Sequence, residues 1–193
     1  MADPMRKTDR HYRYRNYREW PDSERWELIE GAAWNMSPAP TTLHQRVLQQ
    51  LNTAFLRAAH GTPCEVLFAP LDVFPFTDDE AGIDDADTVV QPDLIVACDP
   101  TRLVRRGHLG PPALVVEVLS TWTLRKDLTD KLRVYERAGV AEYWIVNPGD
   151  QSIMIYRMQS DGSYPAEPAI VQEPSVARST VLDALEVRLP LGD

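Results

Sequence analysis

A chain of 193 residues with 44% hydrophobic and 25% charged side chains can bury a continuous apolar core and has the balance of an ordinary globular protein. No apolar run approaches the roughly 18–20 residues that cross a bilayer, and no apolar stretch follows the charged N-terminus as a secretory signal would. The net charge of −9 argues against a nucleic-acid partner, which usually leaves a basic footprint; Cys64 and Cys98 form no CxxC pair and cannot constitute a disulfide framework, so a reducing cytoplasm fits best.

The charge is uneven. Residues 1–18 carry six Lys/Arg against two acids, a local +4 that leaves −13 for the remainder. Residues 1–22 read as a basic, flexible leader ahead of one domain over 23–193. The interleaved Tyr12, Tyr14 and Tyr17 would also suit gripping a phosphate backbone and stacking on bases. Trp26 to Met36 reads as a hairpin turning near Gly31, with a short helix before the turn as the alternative. After the loop Ser37–Pro40, Thr42 and Gln45 resemble a capping box, and Leu43, Val47, Leu48, Leu51, Ala54, Phe55 and Ala58 recur at helical spacing to about His60.

Residues 64–76 read as a strand carrying Asp72. The acidic run from Asp78 to Asp87 lacks the ligand spacing of a calcium loop and reads as a solvated hairpin tip. Two short β-branched runs follow, Val89–Val96 and Ala113–Leu119, joined by a loop with Arg102, Arg105 and Arg106. A second helix spans about Thr123 to Ala138 and stops at Gly139. A hairpin of Glu142–Asn147 and Ser152–Met158 and a last strand near Glu186–Leu189 close the chain. The order β-β-α-β-β-β-α-β-β predicts an α/β (α+β) mixed sheet flanked by helices.

Each of the two core runs holds a carboxylate that its surroundings do not explain, Asp93 in one and Glu117 in the other. An isolated ionised acid in a buried strand costs several kcal/mol or more, so it must be neutralised, paired or metal-bound. Successive strands tend to be neighbours and side chains alternate across a sheet, so Asp93 and Glu117 can face one side while Leu94 and Val116 pack the other. Mg²⁺ suits two such carboxylates plus waters. On the second helix Leu124, Leu128, Leu132 and Tyr135 form the core stripe, and Lys131 can return along it toward the strand end. Asp127 lies four residues before Lys131, so a surface ion pair worth about 0.3–0.5 kcal/mol is the plain alternative.

Pro92-Asp93, a strand with Glu117 and a nearby lysine resemble the PD-(D/E)XK nuclease superfamily. More narrowly, the chain resembles its Uma-two family of restriction-endonuclease-like proteins. The likeness spans about residues 26–148. It takes in Glu27 to Gly31, His44, Gln91-Pro92-Asp93, Glu117-Val118-Leu119-Ser120 with Thr123, Asp127, Lys131, Tyr135, Gly139-Val140 and Glu142 to Val146. The third residue of the (D/E)XK element is Leu119 rather than lysine; within this family the lysine appears on the following helix, at Lys131.

The resemblance implies a restriction-endonuclease-like fold and Mg²⁺-dependent hydrolysis of DNA, with Mn²⁺ as a substitute. Asp93, Glu117 and the Val118 carbonyl would ligate the metal, and Lys131 would orient the attacking water or stabilise developing charge. Glu27 would be an outer ligand or position a water. His44, Asp72, Ser120 and Asp127 would line the site, Asp72 being equally open to a structural hydrogen bond. Arg125 and Lys126 fall well off the Lys131 side in helical projection and read as solvated, while Tyr135, Tyr143 and Trp144 read as core.

A homodimer would supply the cleft that one acidic chain lacks, with the 142–158 hairpin as its interface. Two alternatives stand beside the nuclease: an inactive interaction module that keeps the fold, and a metal-dependent hydrolase of another substrate. His11, His60 and His108 have no ligand spacing, Ser120 sits in no GxSxG elbow, and no GxGxxG or P-loop is present.

Overall fold

The computed structural model describes residues 6–21, 24–36, 40–120 and 126–192, with the backbone alone at Asp127. The loop residues 37–39, Thr123, Arg125 and the Asp127 side chain lie outside the described residues. In chain order the elements are β1 (Arg6–Lys7), α1 (Tyr14–Tyr17), β2 (Trp26–Ile29), β3 (Ala32–Asn35), α2 (Thr42–Ala59), β4 (Glu65–Phe68), β5 (Val73–Phe74), β6 (Leu94–Ala97), β7 (Leu103–Val104), β8 (Gly107–Leu109) and β9 (Leu114–Val118). A π-helical turn over Asp127–Lys131 leads into α3 (Leu132–Ala138). Then come β10 (Glu142–Asn147), β11 (Ser152–Arg157), β12 (Ala169–Gln172), β13 (Val176–Arg178) and β14 (Glu186–Arg188).

Six strands form the central sheet in the order β12-β11-β10-β9-β6-β4, with β9 and β10 parallel and every other pair antiparallel. The mixed sheet with flanking helices matches the expected class. Alternation along the strands divides the core into two faces. Leu94, Val96, Leu114 and Val116 meet Val47, Leu51 and Phe55 of α2 together with Leu182 and Leu185 of the C-terminal segment. Ile95, Val115, Tyr143 and Ile145 meet Val134 and Tyr135 of α3. A third cluster, including Tyr12, Tyr14, Trp26, Leu28, Phe74 and Ile83, lies beneath the β2–β3 hairpin.

The hairpin turns through Glu30 and Gly31, both at positive φ (50° and 76°), as a two-residue connection of the right hand requires. Helix α2 is capped by Thr41, whose hydroxyl accepts the His44 N–H at 3.2 Å, one residue earlier than the Thr42 box expected. Helix α3 ends at Gly139 in the left-handed region, as its position predicts.

Several expectations are corrected. The 64–76 strand is split, and Asp72 precedes β5 rather than lying within a strand. The acidic run is no solvated tip: Glu80–Asp85 forms a 3₁₀ turn capped by Asp79, and it faces the N-terminal segment. Asp84 meets Arg18 (2.9 Å) and Arg106 (3.1 Å), Asp85 meets Arg15 (2.8 Å), and Asp87 meets His11 (3.1 Å). Residues 6–21, expected as a flexible leader, are built into the fold because Tyr12 and Tyr14 are buried beneath the hairpin. The exposed ion pairs add little to that burial.

The 142–158 hairpin, expected as a dimer interface, is β10–β11 inside the sheet; its residues are largely buried and β11 is covered by β12. Cys64 and Cys98, far apart in sequence, flank the paired residues Glu65 and Ala97 and are joined by a disulfide. No described helix is long and apolar enough to cross a membrane.

Candidate active site

The register Leu94↔Val116, Ile95↔Val115, Val96↔Leu114 runs antiparallel, so one step further sets Asp93 opposite Glu117. Directly opposed residues hold their Cβ atoms about 4.5–5.5 Å apart. Alternation puts Glu117 on the Val115 face, toward α3. There Lys131 Nζ lies 2.6 Å from Glu117 Oε1, and the Tyr135 hydroxyl donates to the same oxygen at 3.0 Å. Asp93 Oδ2 accepts the Val118 backbone N–H at 2.8 Å and lies 3.3 Å from His44 Nε2. The Asp93 side chain keeps 21% of its surface exposed, whereas that of Glu117 keeps 5%. Of the predicted site residues, Asp93 thus meets His44 and the Val118 N–H, and Glu117 meets Lys131 together with Tyr135.

Glu27 occupies the strand of the β2–β3 hairpin nearest this group and has no exposed surface. Its Oε1 takes Lys131 Nζ at 2.8 Å and the Gln91 N–H at 2.8 Å, while its Oε2 takes Lys126 Nζ. Burial alone would raise its carboxyl, but the adjoining ammoniums of Lys126 and Lys131 outweigh burial and hold it down to about 2. With both oxygens committed, Glu27 serves as an anchor for lysines rather than as an outer metal ligand. Lys126, expected in solvent, is 3% exposed and faces Glu27. The reason is the π-helical turn. At 3.6 residues per turn, residues five apart point about 140° away from one another, whereas a turn closed over five residues returns Lys126 and Lys131 toward one side.

Asp72 lies in a polar cluster with Gln91 and Tyr14. Its Oδ1 accepts Gln91 Nε2 at 2.8 Å and its Oδ2 accepts the Tyr14 hydroxyl at 3.2 Å, so of its two expected roles it takes the structural hydrogen bond. Burial raises its carboxyl, against the hydrogen bonds from Gln91 and Tyr14. Ser120 is half-buried just beyond β9. Two contributors escaped the sequence reading. Gln91 ties Glu27 to Asp72, Tyr17 and Arg25, and its only signal was its place before Pro92-Asp93. Tyr135 is core, as expected, yet its hydroxyl reaches Glu117; its position four residues after Lys131 was the available clue.

Among the described residues no group of three or more His, Cys, Asp or Glu side chains is placed to hold a metal. A divalent hard cation does not need one, since Mg²⁺ is commonly held by one or two carboxylates and its own waters. Asp93 has an oxygen, Oδ1, that takes no hydrogen bond from the described residues and a partly exposed face, and Glu117 stands opposite it. The donor set, all oxygen, fits such an ion.

The mixed sheet, its flanking helices and the carboxylates at adjoining strand ends define a restriction-endonuclease-like nuclease fold. The chain belongs to the Uma2 family, described as "Putative restriction endonuclease", whose sequence profile matches residues 14–191. Its fold is similar to that of a crystal structure described as "a putative nuclease belonging to DUF820" from Anabaena variabilis ATCC 29413. That likeness covers 89% of this chain and 92% of the other, with a TM-score of 0.68 and 17% identity. No curated protein matches the chain.

Proposed function

We propose that this protein is a metal-dependent endonuclease that hydrolyses phosphodiester bonds in DNA. The observation that carries the reading is the placement of Asp93 opposite Glu117 across β6 and β9, with Lys131 on Glu117. Asp93, Glu117 and the Val118 carbonyl would hold Mg²⁺, or Mn²⁺ in its place, which would supply charge neutralisation at the phosphate and a more acidic bound water. The side chains do the rest. His44 and the Val118 N–H fix the orientation of Asp93, Tyr135 fixes that of Glu117, and Lys131 presents a buried ammonium where negative charge develops on a phosphoryl oxygen. A homodimer would set two such sites against the two strands of a duplex, and light scattering reads that state.

The test is incubation of the wild type, Asp93→Ala and Glu117→Ala with plasmid and linear DNA in Mg²⁺ or Mn²⁺, with RNA alongside. Wild-type cleavage reduced to background in both variants is expected; cleavage indifferent to either substitution rejects the assignment. One observation favours a second reading, a nuclease fold kept for interaction alone: Lys126 and Lys131 already neutralise Glu27 and Glu117. Calorimetry separates the two, since Mn²⁺ binding that disappears in Asp93→Ala belongs to the nuclease.

A further inference from the structure

We infer that Lys126 is a positioning residue that acts through Glu27 to hold Lys131 on Glu117; its activity readout rests on the nuclease reading above. The four side chains form a line of alternating charge, Lys126–Glu27–Lys131–Glu117, running from the π-helical turn to the end of β9. Lys126 is 3% exposed, and Glu27 is the partner its ammonium meets. A buried lysine is an expensive way to fill space, and an apolar side chain of that length would pack at lower cost. Its placement has a specific consequence for charge. Glu27 gives one oxygen to each lysine, Oε2 to Lys126 and Oε1 to Lys131.

Without Lys126, Glu27 would carry a full negative charge against one ammonium and the Gln91 N–H. It would then compete with Glu117 for Lys131 and draw that ammonium back along the hairpin side. With Lys126 in place the pull is divided, and Lys131 can bridge Glu27 and Glu117 at 2.8 and 2.6 Å. The π-helical turn is what makes both contacts available to one helix.

The experiment is a double-mutant cycle on the full chain with Lys126→Met, Lys131→Met and the combination, read as kcat and KM for DNA cleavage. Lys126→Met should lower kcat by about ten- to hundred-fold with KM little changed, as a misplaced group does. The combination should fall no further than Lys131→Met alone, because Lys126 acts through Lys131. Losses that multiply, or a folded Lys126→Met that cleaves like wild type, overturn the inference.

A second readout needs no activity. In ¹⁵N-lysine spectra the Lys131 ammonium signal should be shifted or lost in Lys126→Met, and an unchanged signal also overturns the inference. Should the wild type cleave no DNA, the nuclease reading fails and the spectrum alone decides the role of Lys126. If Lys126→Met does not fold, Lys126→Gln, which keeps a donor for Glu27, takes its place in both measurements with the same expected and overturning results.

Discussion

A carboxylate with no exposed surface survives at Glu27 because two ammoniums and a backbone N–H meet it. Removing one partner from such a group leaves uncompensated buried charge, typically at about 3–5 kcal/mol. Its folded carboxyl titrates at about 2, below its ordinary 4.5. The stabilisation from its ionised form is therefore fully present above the ordinary value and drains away as pH falls toward the folded one. Urea unfolding should show Glu27→Gln weaker than wild type by about 3–5 kcal/mol at neutral pH. The gap should close as pH drops through that window; a gap of constant size would contradict the assignment.

Asp72 has the opposite sign. Burial raises its carboxyl, so its ionised form weakens the folded state at neutral pH, and the penalty is relieved as pH falls through the raised folded value. Asp72→Asn can keep both hydrogen bonds, to Gln91 and Tyr14. It should match or exceed wild-type stability at neutral pH in denaturant titration while leaving DNA cleavage intact. Loss of cleavage in a folded Asp72→Asn would instead make it part of the chemistry.

Among the elements, the β2–β3 turn is held from both sides. Gly31 accepts from the Tyr12 N–H and donates to the Asp87 carbonyl, each at 2.8 Å, and the His11 ring lies where a Cβ would project. Gly31→Ala therefore meets a collision as well as positive φ. It should cost more than about 1 kcal/mol in thermal or urea unfolding, the ordinary scale for an alanine in a glycine conformation. The hairpin, helix α2 and the end of α3 were legible because period, turn residues and a terminal glycine are local signals. The placement of Asp93 against Glu117 was legible for a related reason: two lone acids in neighbouring strands of period two can share a face. Lys126 was not, because a projection at 3.6 residues per turn assumes a regular helix, and the turn at Asp127–Lys131 departs from it. The Cys64–Cys98 bond was equally hidden, since cysteine spacing alone does not reveal which strands pair.

For the molecule as a whole, the N-terminal segment is part of the core. Tyr12, Tyr14, Trp26, Leu28 and Phe74 share one cluster, and Tyr14 stacks edge-on to Phe74 with ring centroids 4.9 Å apart. Deleting residues 1–21 should lower the melting temperature and expose apolar surface to dye binding. Tyr14→Ala alone should cost about 3 kcal/mol. An unchanged melting temperature on deletion would mean the segment contributes nothing to the fold. The basic and acidic runs that looked like separate solvated features meet one another, Arg13 and Arg15 on Asp85 and Arg18 on Asp84.

By itself the sequence determined the alternating β-strands, the amphipathic helix, the mixed α/β class and the two lone acids, because each follows from spacing over a few residues and from the cost of burying charge. Tertiary structure decided which side chains the buried acids actually meet. Lys126 and Glu27 lie 99 residues apart, Lys131 and Glu117 14, and His44 and Asp93 49. Contacts at such separations depend on strand register and helix phase together, and one irregular turn is enough to exchange a solvated lysine for a buried one.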